Sequence, residues 1–575
     1  MTNPTSTRSN GSKMLRRYGP FSLVIVVVAV IALVTVVFSG GDDDEASDGA
    51  EVKSKEELIR SGPMTPEKAE LLGKTTVDFG PNCDLETGRI KVPTVYAPPC
   101  VEPFTGKNGG TTSQGVTEDT IKIVAYQADP AKDPLLSSQI NAAGADTSPE
   151  SAIATGQGYV DYYNEYFETY GRDVEVEFFT GSGAFNDEEA AKADAIAIAE
   201  KEPFAVLNGP AQVSRVFADE LAARGILCVG RCALAIPEAF TKERAPYLWA
   251  IGPSPEEASR LAAEMIGNYA PPGPAQFAGD PELQGKDRVY GAIHFETRDG
   301  AQKEAFGTFK NELKKNGVDV TVDVPYDGDE FLAKAQENAR TAITKLKEGG
   351  ATTVIFYGDP ITPGPMTKEA TAQEFFPEWI LGPSVLADTS VFARSFDQDQ
   401  WKNGFGISLI GGRGEQELQD SYRIYQWFHG TPPPNNTYGV IAPDYGILFR
   451  GIHLAGPKLT PETFRDGLFR FPPTGGEVMN PSISYGNHGI WPYTDLWGTD
   501  DAALVWWDPT AVGESEIGQS GNGLYRYANN GARYKLGEWP KTAEEAGLHD
   551  DAASVTIYTE IPPEAAAPDY PSPAG

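Results

Sequence analysis

The sequence predicts an α/β fold built as two doubly wound parallel-sheet lobes. Three observations predict it. From Thr120 onward strand-like runs alternate with helical ones, and strand starts fall roughly 25 to 35 residues apart, the signature of βαβ units. A Pro- and Gly-rich stretch, APPGPAQFAGDPELQGKD, interrupts the alternation, which then restarts. The 575 residues are 40% hydrophobic and 22% charged, enough apolar material for two large cores.

The first run opens with strand TIKIVAYQ (120–127), followed by a long loop to Thr147. A helix starts at Ser148-Pro149-Glu150, with an N-cap serine and a first-turn proline. Tyr159, Tyr162, Tyr163, Tyr166, Phe167 and Tyr170 fall at helical spacing and predict one aromatic face packed on a sheet. Strand VEVEFF (174–179) follows, then a helix over 187–200 with Asn186 as N-cap and Glu189 completing a capping box. Strand 204–208, helix 212–223, strand 226–230 and strand 247–251 close this run. Ser254-Pro255-Glu256-Glu257 predicts a second capping box, opening a helix over 255–269.

The second run gives strand 288–295, helix 300–316, strand 318–324, helix 329–348, strand 352–358, helix 366–374 and strand 378–382. Strand 404–411 and helices 415–429 and 440–455 come next. Five of the nine Trp lie beyond residue 476 (Trp491, Trp497, Trp506, Trp507 and Trp539), with short β-like runs such as AALVWWD (502–508). The division expected from these patterns assigns 119–255, with part of 384–475, to lobe 1 and 256–383 to lobe 2. Residues 476–560 are expected as a closing segment and 561–575 as a disordered tail.

The N-terminal region is distinct in charge. Residues 1–41 carry Arg8, Lys13, Arg16 and Arg17 and no acid, whereas the whole chain has 47 Lys+Arg against 81 Asp+Glu, a net charge of −34. FSLVIVVVAVIALVTVVF, Phe21 to Phe38, is an uncharged run near the lower length limit for a membrane span. Basic residues before it and Asp42 to Glu45 after it place 1–20 in the cytoplasm and the body outside. The reading is a single-pass signal anchor in the cell membrane, followed by an acidic linker over 39–64. The alternative is a cleaved signal peptide, and both export the body. The acidity of that body argues against nucleic acid as a partner, since phosphate binding needs a basic patch.

Four cysteines fall as two local pairs, Cys83 with Cys100 and Cys228 with Cys232. In an exported chain an even count reads as disulfides. Three connectivities are possible and the local one is preferred. Neither C-x16-C nor C-x3-C matches the usual zinc knuckle, so no metal is expected. The first pair lies in a Pro- and Gly-rich arm, 65–118, too small to hold its own core and expected to wrap on the body.

The sequence contains no G-x-S-x-G, no H-E-x-x-H, no Walker A and no G-x-G-x-x-G after the first strand, and its five His are scattered. No cofactor is expected, and a binding protein is favoured over an enzyme.

Taken in order, GVTEDTIKIVAYQADP (115–130), FAVLNGPAQVSRVFADELAARGILCVGRCALAIPEAF (204–240) and YLWAIGPSPEEASRLAAEMI (247–266) resemble the type I periplasmic solute-binding proteins. YGAIHFETRDGAQKEAFGTFKNELKKNGVDV (290–320), TTVIFYGDPITPGPM (352–366), EWILGPSVLAD (378–388), PSISYGNHG (481–489) and LVWWDP (504–509) continue the likeness, over roughly 115 to 515. The group resembled is the branched-chain amino acid and amide receptors of ABC importers. The resemblance implies a clamp joined by three hinge crossovers, near 251–256, 384–389 and 475–495. A small polar solute of the amino acid, amide or short peptide class is bound between the lobes and delivered to an ABC permease with its ATPase subunits. Other functions on the same scaffold are a ligand-sensing ectodomain and an exported α/β hydrolase.

The resemblance also implies cleft residues. In lobe 1 these are Tyr126 and Gln127 after the first strand, then Asn208, Pro210, Gln212 and Ser214 in the loop after FAVLN. There, backbone N–H groups at a helix N-terminus suit a carboxylate. Arg231 either pairs with an acidic ligand or is an exposed charge in the C-x3-C loop. In lobe 2, Glu296, Thr297, Arg298, Tyr357 and Asp359 occupy matching positions, with Asp359 suited to an ammonium and Tyr357 to an apolar group.

Overall fold

Residues 53–575 are described by the computed structural model. The expected stub and the span Phe21–Phe38 lie outside the described residues. Among those described, no helix is long and apolar enough to cross a membrane.

Five short strands, β1 (Thr120–Gln127), β2 (Asp173–Thr180), β3 (Ala205–Leu207), β4 (Leu227–Val229) and β5 (Leu248–Trp249), form the first sheet. They stand in the order β2-β1-β3-β4-β5, all parallel. The central strands are apolar at every position, as in AVL and LCV, because helices cover both faces and leave no polar side. Those helices include α1 (Pro149–Tyr166), α2 (Glu188–Ala199), α3 (Ser214–Ala222) and the short α4 (Glu238–Glu243).

The second sheet repeats this winding. Strands β6 (Tyr290–Glu296), β7 (Val320–Asp327), β8 (Thr353–Tyr357), β9 (Glu378–Leu381) and β10 (Phe405–Ser408) stand in the order β7-β6-β8-β9-β10, again parallel. Helix α5 (Pro255–Tyr269) enters this lobe through the predicted capping box: Ser254 N–H donates to Glu257 Oε2 at 2.8 Å, and Glu257 N–H to Ser254 Oγ at 2.9 Å. Helices α6 (Ala301–Lys315), α7 (Ala335–Glu348) and α8 (Pro363–Ala372) complete the βαβ units. A long hairpin, β11 (Ala502–Glu514) and β12 (Ser520–Ala528), extends the sheet antiparallel to β10.

Several expectations are corrected. Strand β10 belongs to lobe 2, with Ile380 in register with Phe405, so the second crossover is not at 384–389. Phe405 and Ile407 are buried in the lobe 2 core beside Ile380 and Trp506, and the chain turns back only after Ser408. It then forms α9 (Asp420–His429), α10 (Tyr438–Ala455) and α11 (Pro461–Arg470) on lobe 1. The third crossover is an irregular ladder over 474–499, bridged at Thr474–Ile483, Ile483–Thr499 and Gly486–Asp495.

The aromatic face of α1 meets later helices as well as the sheet: Tyr163 stacks on Phe449 at 4.8 Å and Tyr159 packs edge-on to Tyr425 at 5.4 Å. The N-cap of α2 is Asp187, which accepts from Ala190 N–H at 3.0 Å, rather than Asn186.

The arm packs on lobe 1 and the third crossover. His453 Nε2 lies 2.9 Å from the Pro99 carbonyl, and Tyr96 donates to the Pro481 carbonyl at 2.8 Å. Within the acidic linker, Lys55–Ser61 is a helix whose buried Leu58 accepts from Arg470 Nε at 2.6 Å. The final residues, expected to be disordered, are held by Tyr570 to Asp84 at 2.8 Å and by Trp427 Nε1 to the Tyr570 carbonyl at 2.8 Å. Both cysteine pairs are local disulfides, Cys83–Cys100 and Cys228–Cys232.

Candidate functional site

In an open parallel sheet, ligands sit beyond the carboxyl ends of the strands where the strand order reverses. The reversal lies between β1 and β3 in lobe 1 and between β6 and β8 in lobe 2. Gln127 and Asn208 stand at the first point, Glu296 and Tyr357 at the second. Asn208 adopts the left-handed conformation, φ 60°, and its Nδ2 donates to the Tyr126 carbonyl at 2.8 Å, tying the two strand ends.

The loops beyond these ends meet across the cleft. Arg215, in the first turn of α3, donates to the Asp299 carbonyl at 2.5 Å, and its Nε lies 3.1 Å from the Asp299 carboxylate. Asn186 Nδ2 donates to the Asp329 carbonyl at 2.6 Å. Phe185 packs edge-on to Phe331 at 5.9 Å. Sequence reasoning missed all six of these residues. Each follows a lobe's first, second or third strand, so the repeated winding was the signal that pointed to them.

The expected site residues fall into two groups. Some lie in the loops beyond the strand ends. Gln212 N–H donates to the Phe185 carbonyl at 3.2 Å, while its Oε1 is buried without a hydrogen-bond partner. Gln127 is half-buried, and its carbonyl accepts from Gly181 N–H at 2.8 Å. Thr297 Oγ1 donates to Asp299 at 2.7 Å. The Arg298 side chain is exposed, with its backbone N–H donating to Asp329 at 3.0 Å. Glu296 lies 3.6 Å from Lys303. Burial raises the Asp329 carboxyl above the usual carboxylate range.

Others are taken up by the fold. Tyr126 is buried against Phe217 and Phe179 with its hydroxyl 3.4 Å from Asp194, and burial raises the phenol. Ser214 Oγ donates to the carbonyl of buried Pro210 at 2.9 Å. Tyr357 is buried among Phe295, Phe306 and Phe309.

Two charged candidates are engaged within the chain itself. Arg231 is not an unpaired surface charge. Its Nε lies 2.9 Å from the buried Asp444 carboxylate, and its N–H donates to the same group at 3.0 Å. Helix α10, arriving from far along the chain, supplies that acid. Asp359 accepts from the Tyr326 hydroxyl (2.6 Å), Ile361 N–H (2.8 Å), Thr362 N–H (2.8 Å) and Thr362 Oγ1 (2.6 Å). Four donors fill its lone-pair sites and leave none for an ammonium.

Among the described residues no group of three or more His, Cys, Asp or Glu is placed to hold a metal ion. A cavity of about 330 Å³ lies away from the strand ends, between arm, third crossover and tail, with Arg89, Thr94, Thr474, Glu477 and Tyr570 in its wall.

No protein-family model matches the sequence, and a search of curated proteins finds no match. Solved structures with a similar chain path include a fatty acid ABC transporter substrate-binding protein from Thermomonospora curvata. It is 13% identical with a TM-score of 0.48, covering 75% of this chain and 96% of that one. Another is the branched-chain amino acid transporter substrate-binding protein LivJ from Streptococcus pneumoniae, in complex with isoleucine (13%, TM-score 0.47, 71% and 100%). A third is a solute-binding protein from Rhodopseudomonas palustris BisB5 in complex with 3,4-dihydroxybenzoic acid (12%, TM-score 0.47, 73% and 98%). At these identities and scores the superpositions say nothing about the ligand of this chain.

Proposed function

We propose that this chain is an extracytoplasmic solute-binding protein of the type I periplasmic class. It captures a small polar solute between its lobes and delivers it to an ABC permease. One observation carries the reading: two identically wound parallel sheets, linked by three crossovers, bring the loops beyond their carboxyl ends into contact at Arg215–Asp299 and Asn186–Asp329. Hinge closure about such crossovers makes and breaks contacts of this kind.

The solute class proposed is an amino acid, amide or short peptide. The unpartnered Gln212 Oε1 supports a ligand that brings an N–H or O–H donor, since a buried acceptor without one is costly. The run Phe21–Phe38 supports a membrane anchor that keeps the body beside its permease.

The test is thermal stabilisation of the protein against a library of amino acids, amides, peptides and sugars. A solute at a hundred times its Kd adds about 2.7 kcal/mol. Turnover of an ester, amide or glycoside, with no solute stabilising the fold, would show a hydrolase instead.

A further inference from the structure

A polar network lies where the first and third crossovers meet. Glu238, on α4 of lobe 1, accepts from Ser254 Oγ at 3.0 Å and from Arg260 Nη1 of lobe 2 at 2.6 Å. Its Oε1 is also 3.1 Å from the Tyr493 hydroxyl, on the third crossover. Glu257 on α5, with no solvent exposure, places Oε1 3.0 Å from that same hydroxyl. Arg260 Nη1 donates to the Tyr493 oxygen at 2.8 Å. Lys242 sits 3.3 Å from Glu238 and over the Tyr493 ring.

The donor count does not close if both glutamates are ionised. A phenol has one proton and here faces two carboxylates, while its oxygen already accepts from Arg260. One carboxylate oxygen is then left facing a lone pair, and Glu257, with no solvent exposure, has nothing to offset it. A proton on Glu257 completes the network: Glu257 donates to Tyr493, and Tyr493 donates to Glu238.

Of the two acids, Glu257 is the one to carry it. Glu238 is held by the Arg260 and Lys242 cations, which keep it below the usual range although burial opposes them. Among the described residues Glu257 makes no ion pair, and the Arg260 cation reaches it only from across the Tyr493 hydroxyl. Glu257 faces Glu238 from α4 and Asp500 from the third crossover, and burial pushes it up to about 8. Glu256, its neighbour on α5, is raised by burial and by Glu238 and accepts from Glu238 N–H. Asp495 and Asp500 share a hydrogen bond beside it; burial raises both, with Asp501 adding to the rise at Asp500 and Lys535 opposing it.

We propose that a proton held on Glu257 latches the hinge, joining α4 of lobe 1 to α5 of lobe 2 through Tyr493, and that its loss lets the lobes separate. The latch rests on the two-lobe reading but needs no solute.

The test is the distance between spin labels at exposed Ala193 in lobe 1 and Lys314 in lobe 2 (A193C and K314C), in the full-length chain without added solute. Over about pH 6 to about pH 9, a window spanning the Glu257 transition, the distance is expected to lengthen with a midpoint near pH 8. Glu257→Gln, which cannot ionise, keeps the short distance throughout. Tyr493→Phe removes the hydroxyl that bridges the two glutamates and is expected to show the long distance across the whole pH range. A wild-type distance that ignores pH, or a Glu257→Gln variant that titrates like the wild type, overturns the latch. If Glu257→Gln does not fold, the wild-type infrared spectrum decides. A buried carboxylic-acid carbonyl band present at neutral pH and fading near pH 8 supports the latch, and its absence at neutral pH refutes it. A silent titration in a chain that a solute still closes would refute the latch and leave solute capture standing.

Discussion

Arg215 of lobe 1 holds Asp299 of lobe 2 by both backbone and side chain, donating to its carbonyl at 2.5 Å with its Nε 3.1 Å from the carboxylate. Arg215 is a quarter exposed, so water screens the pair and its coupling is modest, about 1 kcal/mol or less. A double-mutant cycle with Arg215→Ala and Asp299→Ala, followed by thermal unfolding, checks the size. Both single variants should also populate a longer interlobe distance than the parent.

Gln212 is expected to separate stability from binding. Gln212→Leu removes a buried acceptor that has no donor, relieving a penalty of about 1–3 kcal/mol. The unliganded protein should melt higher, while the shift produced by a stabilising solute shrinks. An unchanged solute shift would show that Gln212 does not touch the ligand.

The lobe 2 core contains a paired charge with little tolerance for change. Arg288 donates to Glu378 through Nε and Nη2, each at 2.8 Å, and both side chains are almost fully buried. Glu378 also accepts from Thr353 Oγ1 at 2.6 Å. Glu378→Gln leaves Arg288 buried without a counter-charge, and the expected loss is about 3–5 kcal/mol in urea denaturation.

His453 gives the protein an acid limit. It is buried, accepts from Glu168 N–H at 2.8 Å, and burial pushes it down to about 4. The folded state therefore resists a proton that the unfolded chain accepts near pH 6.5. Its stabilising contribution is complete above about 6.5 and falls as pH drops toward about 4. His453→Gln should flatten the stability profile in that window.

Removing the arm disulfide with Cys83→Ala and Cys100→Ala opens a loop whose ends are 17 residues apart. Loop-closure entropy sets the expected loss at about 3 kcal/mol. If the loss is confined to the arm, hydrogen exchange will rise over residues 65–118 and stay unchanged in the sheets.

The regular parts of the fold were legible because they depend on local patterns. The strand TIKIVAYQ and the capping box at Ser254 and Glu257 appear where periodicity and N-cap chemistry place them. The cleft was legible only as positions after strands. Arg231 and Asp359 were well placed in sequence, but Asp444 and the donors around Asp359 occupy them. Asp444 lies 213 residues from Arg231, a separation no local pattern reports. The α2 cap moved by one residue because Asp187 offers the same acceptor as Asn186, and Asn186 is drawn across the cleft to Asp329.

By itself the sequence determined the α/β class, the two runs of βαβ units, the acidic body and the uncharged run before it. These follow from side-chain period, turn chemistry and charge, which act over a few residues at a time. Tertiary structure alone decided that β10 joins lobe 2, that the aromatic helix face meets α9 and α10, and that the tail is held. It also decided which charges are consumed in pairs and which acids are buried together at the hinge. Those outcomes depend on desolvation, and a group's desolvation is set by whichever distant segment comes to cover it.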